Sequence, residues 1–191
     1  EVCAHRWVHV GEPGYGVSVA NDATYGHDVT RAVAPDGGTS TVVRQSLLRA
    51  PLFPDPEADQ GRHVFRTVLH VGAGIPEAVV DGYRANLPVR EVRGTRPVDP
   101  LVTVDAPGVV VEAVKLADDG SGDVVVRLYE AHGGRARARV GWGFGARAVT
   151  EVDLLEREVP ARAVRGAAGA DGAVDVELRP FQLLTLRVAR A

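Results

Sequence analysis

The sequence predicts an all-β protein. Three observations predict it. Period-2 alternation of apolar and polar residues recurs along most of the chain, the alternating runs are rich in Val, Leu and Thr, and Gly, Pro and Asp bound them. The alternating runs are Ala4–Val10, Gly16–Ala20, Thr39–Arg49 and His63–Val71, then Val109–Leu116, Asp123–Glu130, Ala136–Trp142, Val149–Leu155, Val174–Leu178 and Gln182–Val188. In the last of these, Leu184, Leu186 and Val188 fall on one face, as a pleated strand requires. Gly133-Gly134 between two runs reads as a tight hairpin turn. Asp119-Gly120-Ser121-Gly122 and Gly166–Gly172 read as longer loops. One segment departs from the pattern: Pro76–Asn86 has Pro at a helix-start position and Val79, Val80 and Tyr83 at helical spacing, which predicts a short helix.

The runs divide into two groups. Gly94–Pro100 carries Pro97 and Pro100 without apolar periodicity and reads as a stiff linker. Six strand candidates with short connections follow it over 101–191, enough for a small antiparallel β-sandwich. Residues 1–93 hold fewer strands and longer loops, and four strands cannot easily bury both faces of a sheet. The expectation is the C-terminal portion of a larger β-sandwich domain, 1–93, a linker, 94–100, and a small sandwich, 101–191. The chain contains no methionine and opens on Glu1 in the middle of an alternating run. It therefore reads as a piece of a larger soluble protein, for which a cytoplasmic location is expected.

Composition narrows the partners. The chain has 191 residues, is 45% hydrophobic and carries a net charge of −3 with acids and arginines interleaved. That is enough apolar material for a core, and it offers no basic patch for nucleic acid. No apolar run approaches the roughly 20 residues of a membrane helix. Cys3 is the single cysteine, so neither an internal disulfide nor a cysteine zinc cluster can form. In a strand, such a cysteine is expected to be a small buried hydrophobe.

Two polar clusters stand out. Asn21-Asp22-Ala23-Thr24-Tyr25-Gly26-His27-Asp28 follows a strand directly. Asn, Asp and Gly are ordinary turn formers, and the same carboxylates, Tyr and His could equally serve acid–base work or bind sugar hydroxyls. From Leu47 to His63 runs a loop with Pro51, Pro54 and Pro56, followed by Glu57, Asp59 and His63. It reads either as a rigid functional surface or as a strand connection with solvated acids. A metal site from His27, Asp28 and His63 is neither supported nor excluded by spacing, and no metal is expected in the chain.

The order of several blocks carries a resemblance. His5-Arg6-Trp7-Val8, Asn21-Asp22, Tyr25-Gly26-His27-Asp28-Val29, Ser46-Leu47-Leu48-Arg49-Ala50-Pro51 and Pro54-Asp55-Pro56-Glu57-Ala58-Asp59-Gln60-Gly61-Arg62-His63 come first. Val111–Ala117, Val126–Glu130, Val152–Arg157 and Arg179-Pro180-Phe181-Gln182 complete the series. In this order they resemble the C-terminal region of the α-mannosidases of glycoside hydrolase family 38. The chain departs from the family at His9, where Asp is usual, at Ala20, and at Gln45, where Leu is commoner.

The resemblance implies a C-terminal fragment of a retaining exo-α-mannosidase, built of β-sandwich domains and inactive alone. A nucleophile Asp, an acid/base Asp and a zinc (or another divalent metal) would lie on a preceding catalytic barrel outside this chain. The implied partners are that missing catalytic domain, the α-mannoside or oligosaccharide substrate of the parent, and a second copy of the chain. Loops at the edge of the substrate pocket would come from Asn21, Asp22, Tyr25, Gly26, His27, Asp28, Arg49, Asp59 and His63. A carbohydrate-binding module and a purely structural β-sandwich are the alternatives. Aromatics make up only 5% of the chain, and Trp7 and Trp142 read as core residues rather than as a sugar platform.

Overall fold

The computed structural model describes residues 1–159, 165–167 and 172–191. Fourteen strands and one helix occur among them, which is the all-β architecture that the alternation predicts. The chain divides into two compact units, Glu1–Glu91 and Val92–Ala191. Residues 88–100 carry neither helix nor strand.

Unit 1 contains β1 (Val2–Cys3), β2 (Trp7–Glu12), β3 (Tyr15–Asn21), β4 (Gly26–Val33), β5 (Thr39–Gln45), β6 (Thr67–Val71) and α1 (Ile75–Asn86). They form two antiparallel three-stranded sheets, β2-β3-β6 and β1-β4-β5. The β2–β3 hairpin turns at Pro13-Gly14, where Gly14 has φ of 84°, a conformation that glycine adopts without a Cβ penalty. Helix α1 begins after Gly74, whose N–H is accepted by the Glu77 carboxylate at 2.9 Å, with Pro76 in the first turn.

The helix covers one face of β2-β3-β6. Register puts Trp7, Ala20 and Val68 in one row of that face and His9, Ser18 and His70 in the next. Ala20 and Ser18 are fully buried. Asp81 of α1 accepts the Ser18 hydroxyl at 3.3 Å and pairs with His70 Nδ1 at 2.7 Å, which satisfies the polar atoms placed under the helix. At Gly82 a Cβ would come within 2.7 Å of Trp7 Cδ1, so the absent side chain lets the indole approach the helix.

Unit 2 contains β7 (Val102–Val104), β8 (Val109–Leu116), β9 (Val124–Glu130), β10 (Ala136–Trp142), β11 (Ala146–Val152), β12 (Arg165–Ala167), β13 (Val174–Leu178) and β14 (Leu183–Arg190). The sheets are β13-β10-β7 and β12-β11-β14-β9-β8. Val126, Leu128, Val149, Leu184, Leu186 and Val188 of the larger sheet meet Ala138, Val140, Val176 and Leu178 of the smaller one in a single core. This is a β-sandwich, with the inward residues alternating along each strand.

Four expectations are corrected. Gly133-Gly134 does not close a hairpin: β9 pairs with β8 and β14, and β10 pairs with β13 and β7, so the glycines carry the chain from one sheet to the other. The corner is held by Glu130, the last residue of β9 and only 2% exposed. Its carboxylate accepts the N–H groups of His132 (2.9 Å), Gly133 (2.9 Å) and Phe181 (3.0 Å). Second, Gly26-His27-Asp28 is not part of a loop but opens β4. Third, Cys3 is exposed, because β1 is a two-residue edge strand. Fourth, β4, β7 and β12 lie outside the runs expected as strands. The loop expected at Gly166–Gly172 falls partly on β12, and residues 168–171 lie outside the described residues. No helix of the described residues is long and apolar enough to cross a membrane.

Candidate functional site

The polar cluster after β3 becomes a corner joining the two sheets of unit 1. Asn21 ends β3 opposite Thr67 and is 1% exposed. Its N–H donates to the carbonyl of Arg6 at 2.9 Å, and its side-chain Oδ1 accepts the N–H of Thr24 at 3.2 Å. Its own carbonyl accepts Asn86 Nδ2 at 2.8 Å, which ties the end of α1 to the corner. Asp22 Oδ1 accepts the N–H of Arg66 at 3.0 Å, just before β6. Gln45, at the end of β5, then bridges both sheets: its amide donates to Thr24 Oγ1 at 2.7 Å, and its carbonyl oxygen accepts the Thr67 hydroxyl at 3.0 Å.

Beyond the turn the side chains diverge. Tyr25 is half-exposed, its ring tilted 55° against His5 with 4.5 Å between centroids. Its carbonyl accepts the N–H of Ala4 at 2.8 Å and stands 3.2 Å from His27 Nδ1. Gly26 pairs with Cys3 across β1–β4, and a Cβ there would press on Ser46 at 3.1 Å. His27 is completely buried; its Nε2 and the Nδ2 of Asn21 are buried polar atoms with no hydrogen-bond partner. Asp28 pairs with Arg44 at 3.0 Å on the surface.

The remaining expected residues lie in the stretch after β5. Arg49 is exposed. Asp59 takes up a left-handed backbone with φ of 57°, and its carbonyl stands 2.7 Å from His63 Nε2. The His63 ring stacks on Phe65, 5.9 Å between centroids and 7° between planes. Asp55 fixes the start of this loop by accepting the N–H of Glu57 at 2.9 Å. Thus the structure gathers Asn21 through Asp28 into one corner and joins Asp59 to His63 in a second, self-braced loop. The two meet through the bond from Arg66 to Asp22.

Gln45, Asn86 and Thr67 belong to the corner and escaped the sequence reading. Gln45 had a signal, a polar residue where the family carries an apolar one. Asn86 and Thr67 had none, since their contacts form across 65 and 46 residues of chain. Among the described residues no group of three or more His, Cys, Asp or Glu could hold a metal ion. His27, buried beside the Tyr25 carbonyl, and Asp28, paired with Arg44, have different surroundings.

The strand order and the sandwich core place the chain among β-sandwich proteins, and the comparisons with known proteins give the family. Residues 1–57 match the glycosyl hydrolases family 38 C-terminal domain, and residues 108–186 match the glycosyl hydrolases family 38 C-terminal beta sandwich domain. The human alpha-mannosidase 2C1 is 33% identical over 97% of this chain and 18% of its own length. An alpha-mannosidase of Saccharomyces cerevisiae is 27% identical over 98% of this chain and 19% of its own length. A solved glycosyl hydrolase family 38 protein from Enterococcus faecalis superposes with a TM-score of 0.61 at 21% identity, covering 98% of this chain and 22% of that one, which shows a shared fold. The chain belongs to the C-terminal region of glycosyl hydrolase family 38. It spans about a fifth of the length of the relatives it matches.

Proposed function

We propose that this chain is the non-catalytic C-terminal part of a retaining exo-α-mannosidase, packed on the catalytic barrel of its parent and contributing loops to the edge of the substrate pocket. The observation that carries the reading is the β3–β4 corner. It lies within the matched segment 1–57, it is braced from two sheets and a helix, and it presents the half-exposed Tyr25. A rigid brace of this kind fits a positioning task, because a misplacement of about 1 Å near a reacting centre can cost on the order of 100-fold in rate. Within the corner the work divides. Asn21 and His27 are buried and hold the backbone; Tyr25 and Asp28 face outward, and Asp22 fixes the approach to β6. Arg49, Asp59 and His63 join the same edge in this proposal.

The two carboxylates of the double displacement and the zinc that binds sugar hydroxyls belong, in this reading, to the parent outside these 191 residues. The experiment has two arms. The purified chain with added zinc should show no turnover of an aryl α-mannoside. In the full-length parent, Tyr25→Phe keeps the ring against His5 and removes only the hydroxyl, so it should lower kcat/KM and leave the unfolding midpoint in place. Asp22→Ala should lower kcat/KM by about tenfold, or roughly 1.4 kcal/mol of transition-state stabilisation. If both variants keep full activity, the corner is a structural turn and the pocket-edge role is wrong.

A further inference from the structure

Between α1 and β7 the chain runs without internal support. All thirteen residues of 88–100 are exposed. The last tie before them is the N–H of Leu87, which donates to the carbonyl of Tyr83 at 2.8 Å. The first tie after them is the carbonyl of Leu101, which accepts the N–H of Gly143 at 3.0 Å. Among the described residues, no hydrogen bond or ion pair involves a residue from 88 to 100. Packing does not hold the stretch either, since Val89, Val92 and Val98 are 90%, 86% and 87% exposed. Into this bare segment the sequence sets an arginine at every third position: Arg90, Arg93 and Arg96.

We propose that this connector is a cleavage site for arginine-specific endoproteases, which hydrolyse the Arg93–Gly94 bond in the folded protein and sever the covalent link between the two units. A serine protease of this specificity takes the arginine in an acidic pocket. The flanking substrate chain binds extended, through its backbone, as an added strand does. Such a segment must have its N–H and C=O groups free, which a helix or a paired strand does not allow. Exposed loops are accordingly where folded proteins are nicked. The three arginines are not equivalent. The bond after Arg96 runs to the nitrogen of Pro97, which is tied into a ring and carries no hydrogen. The bond after Arg90 is followed by Glu91, whose carboxylate is repelled by the protease's own acidic pocket. Gly94, after Arg93, brings neither ring nor charge. Hydrolysis there breaks the C–N bond, joins a water oxygen to the Arg93 carbonyl carbon, and delivers a proton to the leaving nitrogen of Gly94. Other exposed arginines sit in turns that are closed on themselves. Arg62 precedes His63, whose Nε2 stands 2.7 Å from the Asp59 carbonyl, and the backbone N–H and Nε of Arg157 both donate to Asp153. Cleavage after Arg93 divides no element: β1–β6 and α1 stay in one product and β7–β14 in the other.

Trypsin is the probe, used briefly under native conditions with the products weighed by intact-mass spectrometry. In the 191-residue chain, fragments 1–93 and 94–191 should appear together. The cut should be no slower than about one tenth of the rate in a synthetic peptide of residues 88–100, because no opening step precedes it. Gly94→Pro keeps Arg93 and its charge but places a proline after the bond, and it should abolish this cut; Arg93→Gln should do the same. Both variants should leave the urea unfolding curve of the chain unchanged, and each separated fragment should keep a cooperative urea transition. The same bond should be cut at a comparable rate in the full-length parent. A slower cut in either protein, preferential cutting after Arg90 or Arg96, or fragments that unfold on release would each overturn the proposal. None of these outcomes bears on α-mannoside hydrolysis, so the function proposed above stands or falls separately.

Discussion

Glu130 is the side chain on which the crossover of unit 2 depends, and removing it makes a quantitative test. The carboxylate accepts backbone N–H groups from His132, Gly133 and Phe181 at 2.9–3.0 Å, which joins the β9–β10 corner to the turn before β14. Phe181 holds φ of 56°, so the turn it belongs to needs an external anchor. A hydrogen bond to a charged group contributes about 1.5–3 kcal/mol. The three bonds share one carboxylate and are not additive, and the exposed Gly133 N–H regains water when the acceptor is lost, so Glu130→Ala should cost about 2–3 kcal/mol. A domain of about 100 residues loses roughly 4–8 °C per kcal/mol, so the midpoint of unit 2 should fall by about 8–24 °C. Glu130→Gln keeps one acceptor oxygen and turns an amide donor toward the N–H groups, and it should cost somewhat less.

The same geometry sets the pH dependence. Burial pushes the Glu130 carboxyl up, but the N–H groups of Phe181, His132, Gly134 and Gly133 outweigh it, and the pKa lies below its ordinary 4.5. A depressed carboxylate stabilises the fold above its unfolded pKa, and that contribution is lost as the pH falls through the folded value. The gap between wild type and Glu130→Ala should therefore be full at pH 7 and shrink below pH 4.5. Urea unfolding followed by tryptophan fluorescence is the assay, because Trp142 lies in unit 2 and Trp7 in unit 1. A change below about 0.5 kcal/mol, the range of ordinary surface substitutions, would refute the role given to Glu130. So would a gap that stays constant from pH 7 to pH 3.

Other perturbations follow from the same contacts. Gly82→Ala should destabilise unit 1 by about 1–3 kcal/mol through overpacking against Trp7, although alanine favours a helix by about 1 kcal/mol over glycine; a neutral or stabilising result in urea melts would disprove the close contact. Asp119 is held at about 2, first by the Ser121 N–H, then by the Ser121 hydroxyl and the Arg187 guanidinium. In Arg187→Ala its pKa, followed by NMR titration, should rise yet stay below 3.8, because the Ser121 bonds remain; an unmoved value would remove Arg187 from the loop. Asn86→Leu takes away the donor to the carbonyls of Asn21 and Gly82, and it should lower the unit 1 midpoint by an amount near 1 kcal/mol.

What the sequence could and could not convey follows from the range of each interaction. β8, β10 and β13 were legible residue for residue, because each presents one apolar row to the sandwich core and the period of two is local. β4 was not. Its faces read His27, Val29, Arg31, Val33 and Asp28, Thr30, Ala32, so neither is apolar throughout; pairing to β5 along seven register positions makes the strand. The Gly133-Gly134 corner was misread for a related reason. A hairpin and a crossover can both use a glycine at positive φ, as Gly133 does, and what separates them is where β10 finds its partners, 34 or more residues away. The corner at Asn21–Asp28 was legible as a dense polar segment, but its division of labour was not. Asn21 and His27 look as available as Tyr25 and Asp28 in the sequence, and only the burial by β1, β5 and α1 turns the first two inward. A polar cluster beside a strand is therefore a pointer to a junction, and burial decides which of its members face the solvent. That ordering argues for mutating Tyr25 before Asn21 in testing the proposed function: the hydroxyl of Tyr25 can change without disturbing the junction, whereas Asn21 cannot lose its amide without unlinking β3 from the turn.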